Sequence, residues 1–299
     1  MTDVILGIHG LNNKPPPSLL LRWWRWSLQD GLLRDGYPIN PLPLELIYWS
    51  DVLHPQPLDI RVRDPKAEDY LDEPYQPPSR QVPVNQDRIS RFDALEAQLD
   101  KLFLNEDMPL NYSGISDRIM HRFFGDMETY LQNENARNAI RQRLLDALAT
   151  HQGDRIMLIA HSMGSIVAYD VLSTLAAGME VAVLVTIGSP LGLPQVISRI
   201  HAAQLDEHQD LSTLRAPECI TEAWFNLSDP EDKVALDQTL ADDYLPNTRG
   251  IRAQDWKVMN DYMLKGNRNP HKSFGYLRTP EVTKLVGQFL EKQTGKQVR

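Results

Sequence analysis

An apolar run, Ile156–Ala160, leads directly into His161-Ser162-Met163-Gly164 and then into Ser165-Ile166-Val167-Ala168. A strand that turns into a helix at a small-X-Ser-X-Gly step holds the serine on a sharp, strained turn and exposes its hydroxyl at the carboxyl edge of a sheet. Ala160 and Gly164, two residues before and two after, are small, as the close approach of strand and helix demands. The helix N-terminus behind Ser162 favours developing negative charge. Such a serine can attack a carbonyl carbon and become acylated. A bare hydroxyl is a poor nucleophile, so it needs a base within hydrogen-bonding reach, and the base needs a carboxylate to orient it.

The stretch resembles the nucleophile elbow of the α/β-hydrolase superfamily, with Ala160 in place of the first glycine of Gly-X-Ser-X-Gly, a variant found in some lipases of the superfamily. The resemblance implies the chain order serine, acid, histidine. There are eight histidines, at positions 9, 54, 121, 151, 161, 201, 208 and 271. Only His271 lies beyond the last clear core strand, in Asn269-Pro270-His271-Lys272-Ser273-Phe274 ahead of the final helix, where the superfamily places its base. His161 reads as a packing residue whose side chain points away from the serine, and His201 and His208 as solvated residues of a polar segment.

The acid is expected after a strand at Ile220–Leu227, where the turn reads Ser228-Asp229-Pro230-Glu231-Asp232-Lys233-Val234. Asp232 resembles the family's Asp-X-Val pattern, in which the apolar residue packs back and aims the carboxylate at the histidine. Asp229, nearer the strand end, is the rival; whichever is not the acid is a turn-forming aspartate. An oxyanion hole needs two backbone N–H groups. The resemblance assigns them to Met163, after the nucleophile, and to Leu11 in His9-Gly10-Leu11, with Gly10 keeping the approach open; a simple glycine turn is the plainer reading of that loop. Thr186-Ile187-Gly188-Ser189-Pro190 has counterparts in lipase-like members, and Ser189 is read as lining the cleft or forming a turn.

The elements that must position these residues follow from periodicity. Val4–Ile8 and Leu44–Trp49 read as buried strands. Ser18 is a candidate cap for a helix at Leu19–Arg34, with Gly36 ending it. Residues 127–150 read as one helix, with Ile140, Leu144, Leu145 and Leu148 on one face. Arg155–Ala160, Val181–Ile187 and Ile220–Leu227 are strands, Gly164–Ala177 a helix ended by Gly178, and Pro280–Lys292 an amphipathic helix. Strands alternating with helices predict an α/β class, with a mostly parallel sheet covered on both faces. Between Pro55 and Gly125 the texture changes to proline-rich and charged, with one helical periodicity at Arg88–Leu104. The chain is therefore expected to be one domain, 1–299, with a cap-like insertion at about 55–125.

The 299 residues carry a net charge of −9, which disfavours nucleic acid as a partner. One cysteine, Cys219, can form no internal disulfide and reads as a small buried residue. No basic and apolar leader and no apolar run of membrane-spanning length is present, so the expected setting is cytoplasmic. The acidic run Asp64, Glu68, Asp69, Asp72, Glu73 matches no calcium loop and reads as a solvated loop. No ligand spacing for zinc or iron and no phosphate cradle occurs, so neither metal nor cofactor is expected. Trp23, Trp24 and Trp26 with Arg22 and Arg25 are either a lipid-facing surface or a helix packed on the sheet; the second is preferred. The expectation is a serine hydrolase of carboxylic esters acting on a small acyl ester. The alternatives are acyl transfer or thioester cleavage by the same residues, and an inactive hydrolase fold that serves binding.

Overall fold

The computed structural model describes residues 2–39, 41–78, 125–207 and 214–294. Six strands, β1 (Asp3–Ile8), β2 (Leu44–Ile47), β3 (Arg155–His161), β4 (Val181–Ile187), β5 (Ile220–Ser228) and β6 (Ala253–Lys257), form one sheet in the order β2-β1-β3-β4-β5-β6. Every pairing is parallel. The central strands are apolar on both faces, as a sheet sandwiched between helices requires; β4 is buried at all its positions.

Helix α1 (Pro17–Arg34), a four-residue turn α2 (Ser50–Leu53), α3 (Glu134–Thr150), α4 (Met163–Thr174), α5 (Pro194–Glu207), α6 (Ser273–Leu277) and α7 (Pro280–Thr294) surround the sheet. One apolar cluster joins Ile5, Met157 and Val185 to Trp23, Trp24, Leu28, Phe274 and Phe289, and so buries α1, α6 and α7 against one face. The other joins Leu6, Leu158 and Leu184 to Ile140, Leu144, Ile166 and Val196, and buries α3, α4 and α5 against the opposite face. The tryptophan cluster is a packing feature: Trp23 and Trp24 are buried, and Trp26 alone is exposed.

Several expected boundaries shift. Helix α1 starts at Pro17 with Pro16 as its N-cap residue and no side-chain cap, so Ser18 is not the cap. Proline at the first helical position sets φ for the helix and has no N–H to satisfy. Residues 125–132 and α3 are two helices. Asn133 separates them, its side chain accepting from the Ala136 N–H and capping α3. Helix α4 ends at Thr174. Strand β6 and helix α5 have no counterpart in the periodicity. β6 is an edge strand carrying Gln254, Asp255 and Lys257, and its Asp255 carboxylate accepts from the Leu240 and Ala241 N–H groups. The Arg88–Leu104 periodicity lies outside the described residues. The described part of the excursion, 55–78, is mostly irregular and returns across the carboxyl edge of the sheet: the Tyr262 hydroxyl donates to Pro74 O and Arg278 to Gln76 O.

Strand order reverses between β1 and β3, since β2 lies outside β1 and all later strands lie beyond β3. The crevice beyond the carboxyl ends at such a reversal is where open α/β sheets bind ligands. The loops after β1, β3, β4 and β5 and the loop before α6 meet there.

Candidate active site

Ser162 follows β3 and precedes α4 with φ 53° and ψ −131°. A non-glycine residue held there costs about 1–3 kcal/mol, which the surrounding packing must over-determine. The over-determination is visible. Ser162 N–H donates to Ile187 O (3.1 Å), the Ser165 hydroxyl to Ser162 O (2.6 Å), and the Ser165 and Ser189 hydroxyls bond each other (2.8 Å). A Cβ on Gly164 would sit 2.6 Å from His9 O, and one on Gly10 2.7 Å from Ser162 Cβ. Only glycines allow the elbow and the loop after β1 to approach this closely.

His271 Nε2 lies 2.9 Å from Ser162 Oγ, and its Nδ1 lies 2.9 and 3.0 Å from the two oxygens of Asp232. A carboxylate only accepts, so Nδ1 carries the proton and Nε2 is free to accept from the serine. Asp232 is buried, and its Oδ1 also accepts from the Val234 N–H (2.9 Å). The rival aspartate makes different bonds. Asp229 accepts from the N–H groups of Glu231 (2.9 Å) and Asn260 (2.7 Å) and pairs with Arg268. Burial pushes its carboxyl up to about 6 against the pull of Arg268.

Leu11 and Met163 are buried beside Ser162, and neither N–H has an acceptor among the described residues. The Gly10-Leu11-Asn12 loop is held on several sides. His9 Nε2 accepts from the Trp49 N–H (3.0 Å) and its Nδ1 is 2.7 Å from Gly10 O. The carbonyl must accept, so the ring is neutral with its proton on Nδ1. Burial, then the charge of Lys14, pushes His9 down to about 3. Lys14 donates to Leu11 O, and the Asn12 N–H to Asp126 (3.0 Å). In a trans peptide C=O and N–H point in opposite directions, so holding Gly10 O toward His9 turns the Leu11 N–H away from it.

His161 does not point away from the site. Its ring lies 4.9 Å from that of His271 and its Nε2 donates to His271 O (2.8 Å). Burial and the neighbouring His271 hold it well below the ordinary histidine range. The alternation of side chains along a strand stops applying at the elbow, where the positive φ of the next residue turns the chain. The side chain of His201 and all of His208 lie outside the described residues.

Three contributors escaped the sequence reading. Glu73, from the acidic run, bonds Lys272 (2.9 Å) and Asn269 (2.7 Å), the two flanks of the His271 loop. Burial raises its carboxyl, but the charge and hydrogen bond of Lys272, the hydrogen bond of Asn269 and the charge of His271 together hold it below its ordinary value. The Tyr276 hydroxyl donates to Asp232 Oδ2 (2.7 Å). Gly188, at φ 54°, underlies the pair: a Cβ there would come 2.9 Å from Asp232 Oδ2 and 3.3 Å from His271 Nδ1. No local pattern marks the first two; Gly188 stood in a motif noticed only for Ser189.

Residues 109–239, less than half of the chain, match the model of the PGAP1-like alpha/beta domain, a family in the α/β-hydrolase superfamily. The chain has the α/β-hydrolase fold. Its matched segment spans the elbow, the strand after it and the Asp229–Asp232 turn, but neither the loop after β1 nor His271. No curated protein gives a significant match. Among the described residues, no helix is long and apolar enough to cross a membrane.

Proposed function

We propose that this α/β-hydrolase cleaves carboxylic esters through an acyl-enzyme on Ser162. The observation that carries the reading is the unbroken hydrogen-bonded series Ser162–His271–Asp232 at 2.9–3.0 Å, set at the reversal of strand order. In the first half, Ser162 Oγ bonds to the ester carbonyl carbon while His271 Nε2 takes the hydroxyl proton. The carbonyl oxygen becomes an oxyanion and accepts from the N–H groups of Leu11 and Met163. As the C–O bond breaks, Nε2 returns its proton to the leaving alcohol. In the second half, water loses a proton to Nε2 and attacks the acyl carbon; as the bond from that carbon to Ser162 Oγ breaks, Nε2 returns the proton to Oγ and the carboxylic acid leaves. Asp232 stabilises the imidazolium in both halves. No metal or cofactor has a role in this scheme.

The whole chain is read as one hydrolase domain with an insertion at about 55–125. Cys219 is buried and unpaired, so the fold is independent of disulfides, which supports a cytoplasmic setting. The test is labelling with a fluorophosphonate probe, mass spectrometry of the modified peptide, and turnover of esters of graded acyl length. Ser162 is expected to carry the adduct, and Ser162→Ala to fold while losing roughly 10³-fold or more in kcat/KM. Ester turnover that survives in folded Ser162→Ala would overturn the reading.

A further inference from the structure

We infer that Tyr276 is a positioning residue for the proton-transfer pair, acting through Asp232; this rests on the hydrolase reading above. Tyr276 lies in α6, two residues beyond Phe274 and wholly buried. A phenol has one proton to donate. The Asp229 N–H donates to the Tyr276 oxygen (2.8 Å), and the Tyr276 O–H donates to Asp232 Oδ2 (2.7 Å). The first bond occupies the acceptor side of the hydroxyl and leaves its proton aimed at the carboxylate. The same Oδ2 faces His271 Nδ1. Asp232 is thus held by Val234 N–H on one oxygen and by Tyr276 O–H on the other, with the imidazole bonded between them. The bare α-hydrogen of Gly188 makes this junction possible, since a Cβ there would press within 2.9 Å of both Asp232 Oδ2 and Tyr276 Cε2.

The consequence is electrostatic as well as geometric. A hydroxyl donating to a carboxylate makes a charge-assisted bond and draws off part of its negative charge. Less charge remains to stabilise the imidazolium, so the hydroxyl tunes how readily the base is protonated. The other charged or titratable groups facing the pair are Asp229 with Arg268, His161 beside the imidazole, and Lys272 with Glu73 on the flank of its loop. Among the described residues, none of their side chains bonds the Asp232 carboxylate, although the Asp232 N–H donates to Asp229 O (2.9 Å).

The test compares wild type, Tyr276→Phe, and protein carrying 3-fluorotyrosine at position 276, which keeps the ring and hydroxyl but donates more strongly. Folding is followed by circular dichroism and labelling of Ser162 by fluorophosphonate. Tyr276→Phe is expected to lower kcat by about ten- to a hundredfold, the effect of one hydrogen bond to a charged group, with KM little changed. The acid limb of its kcat/KM–pH profile is expected to move to higher pH. The fluorinated protein is expected to move that limb to lower pH, so its shift decides the matter even if Tyr276→Phe does not fold. Packing alone cannot produce shifts of opposite sign. Wild-type limbs in both proteins, with Ser162 still labelled, would overturn the role of Tyr276 and spare the hydrolase reading. Absence of label on wild-type Ser162 would remove both.

Discussion

At the scale of single residues, two aspartates three positions apart have opposite surroundings. Asp232 turns both oxygens toward His271, whereas Asp229 spends its oxygens on backbone N–H groups and Arg268. Asp229 supports the site from behind, since its N–H orients Tyr276. Replacement with asparagine separates the two jobs. Asp232→Asn removes the carboxylate that fixes the imidazole tautomer and is expected to cost about 10³–10⁴-fold in kcat. Asp229→Asn leaves that carboxylate in place, and a loss of about tenfold or less is expected, the size of one weakened hydrogen bond. Steady-state ester kinetics of the two variants side by side check this; a larger loss at Asp229 would reassign the acid.

At the scale of elements, the elbow is only as rigid as the helix it opens. Helix α4 is anchored to α3 and to the 125–132 helix by a buried network. Asp170 accepts from Arg141 (2.6 and 2.7 Å), from Arg137 (3.2 Å) and from the Tyr130 hydroxyl (2.5 Å). Burial raises its carboxyl, but the bond and charge of Arg141 and the charge of Arg137 prevail and keep it ionised. Asp170→Ala leaves two buried guanidinium groups without their shared partner. Breaking a buried pair in this way costs about 3–5 kcal/mol. Urea unfolding should show that loss in its midpoint. A loss below about 1 kcal/mol would mean that the two arginines find other partners as good.

At the scale of the whole molecule, stability at mildly acid pH depends on histidines buried in the neutral form. His9 takes its proton only at about pH 3 in the fold, against 6.5 for a free histidine. Above pH 6.5 both states are neutral. As pH falls below it the unfolded chain gains a proton that the folded one refuses, and stability drops. Asp229, raised to about 6, and Asp243, raised to about 7, work in the other direction, because the folded form takes up their protons first. The bare profile therefore mixes opposed slopes, and the comparison with His9→Gln isolates one. Wild type is expected to lose about 2 kcal/mol more than the variant between pH 7 and pH 5. Equal losses in the two unfolding series would place His9 in contact with water.

The sequence by itself determined the features that arise from neighbours in the chain. An apolar run ending at Ala160 and Gly164 around Ser162 encodes a strand, a sharp turn and a helix, because steric demands at that turn act over five residues. Runs such as Val181–Ile187 encode buried parallel strands, since burial on both faces removes polar residues from both. Chain order then singled out His271. The tertiary structure alone decided what depends on distant segments meeting. Along the chain Asp232 is preferred to Asp229 only by its resemblance to an Asp-X-Val pattern, and their different surroundings come from the arrival of His271, Arg268 and Tyr276. β6 is legible only as a partner of β5, because an edge strand may carry polar residues wherever one side faces solvent or a capping loop. Glu73 lies nearly two hundred residues from Lys272, and no local pattern encodes their pairing. Periodicity and turn chemistry are local physics; the side-chain bonds that aim a proton are made by the fold.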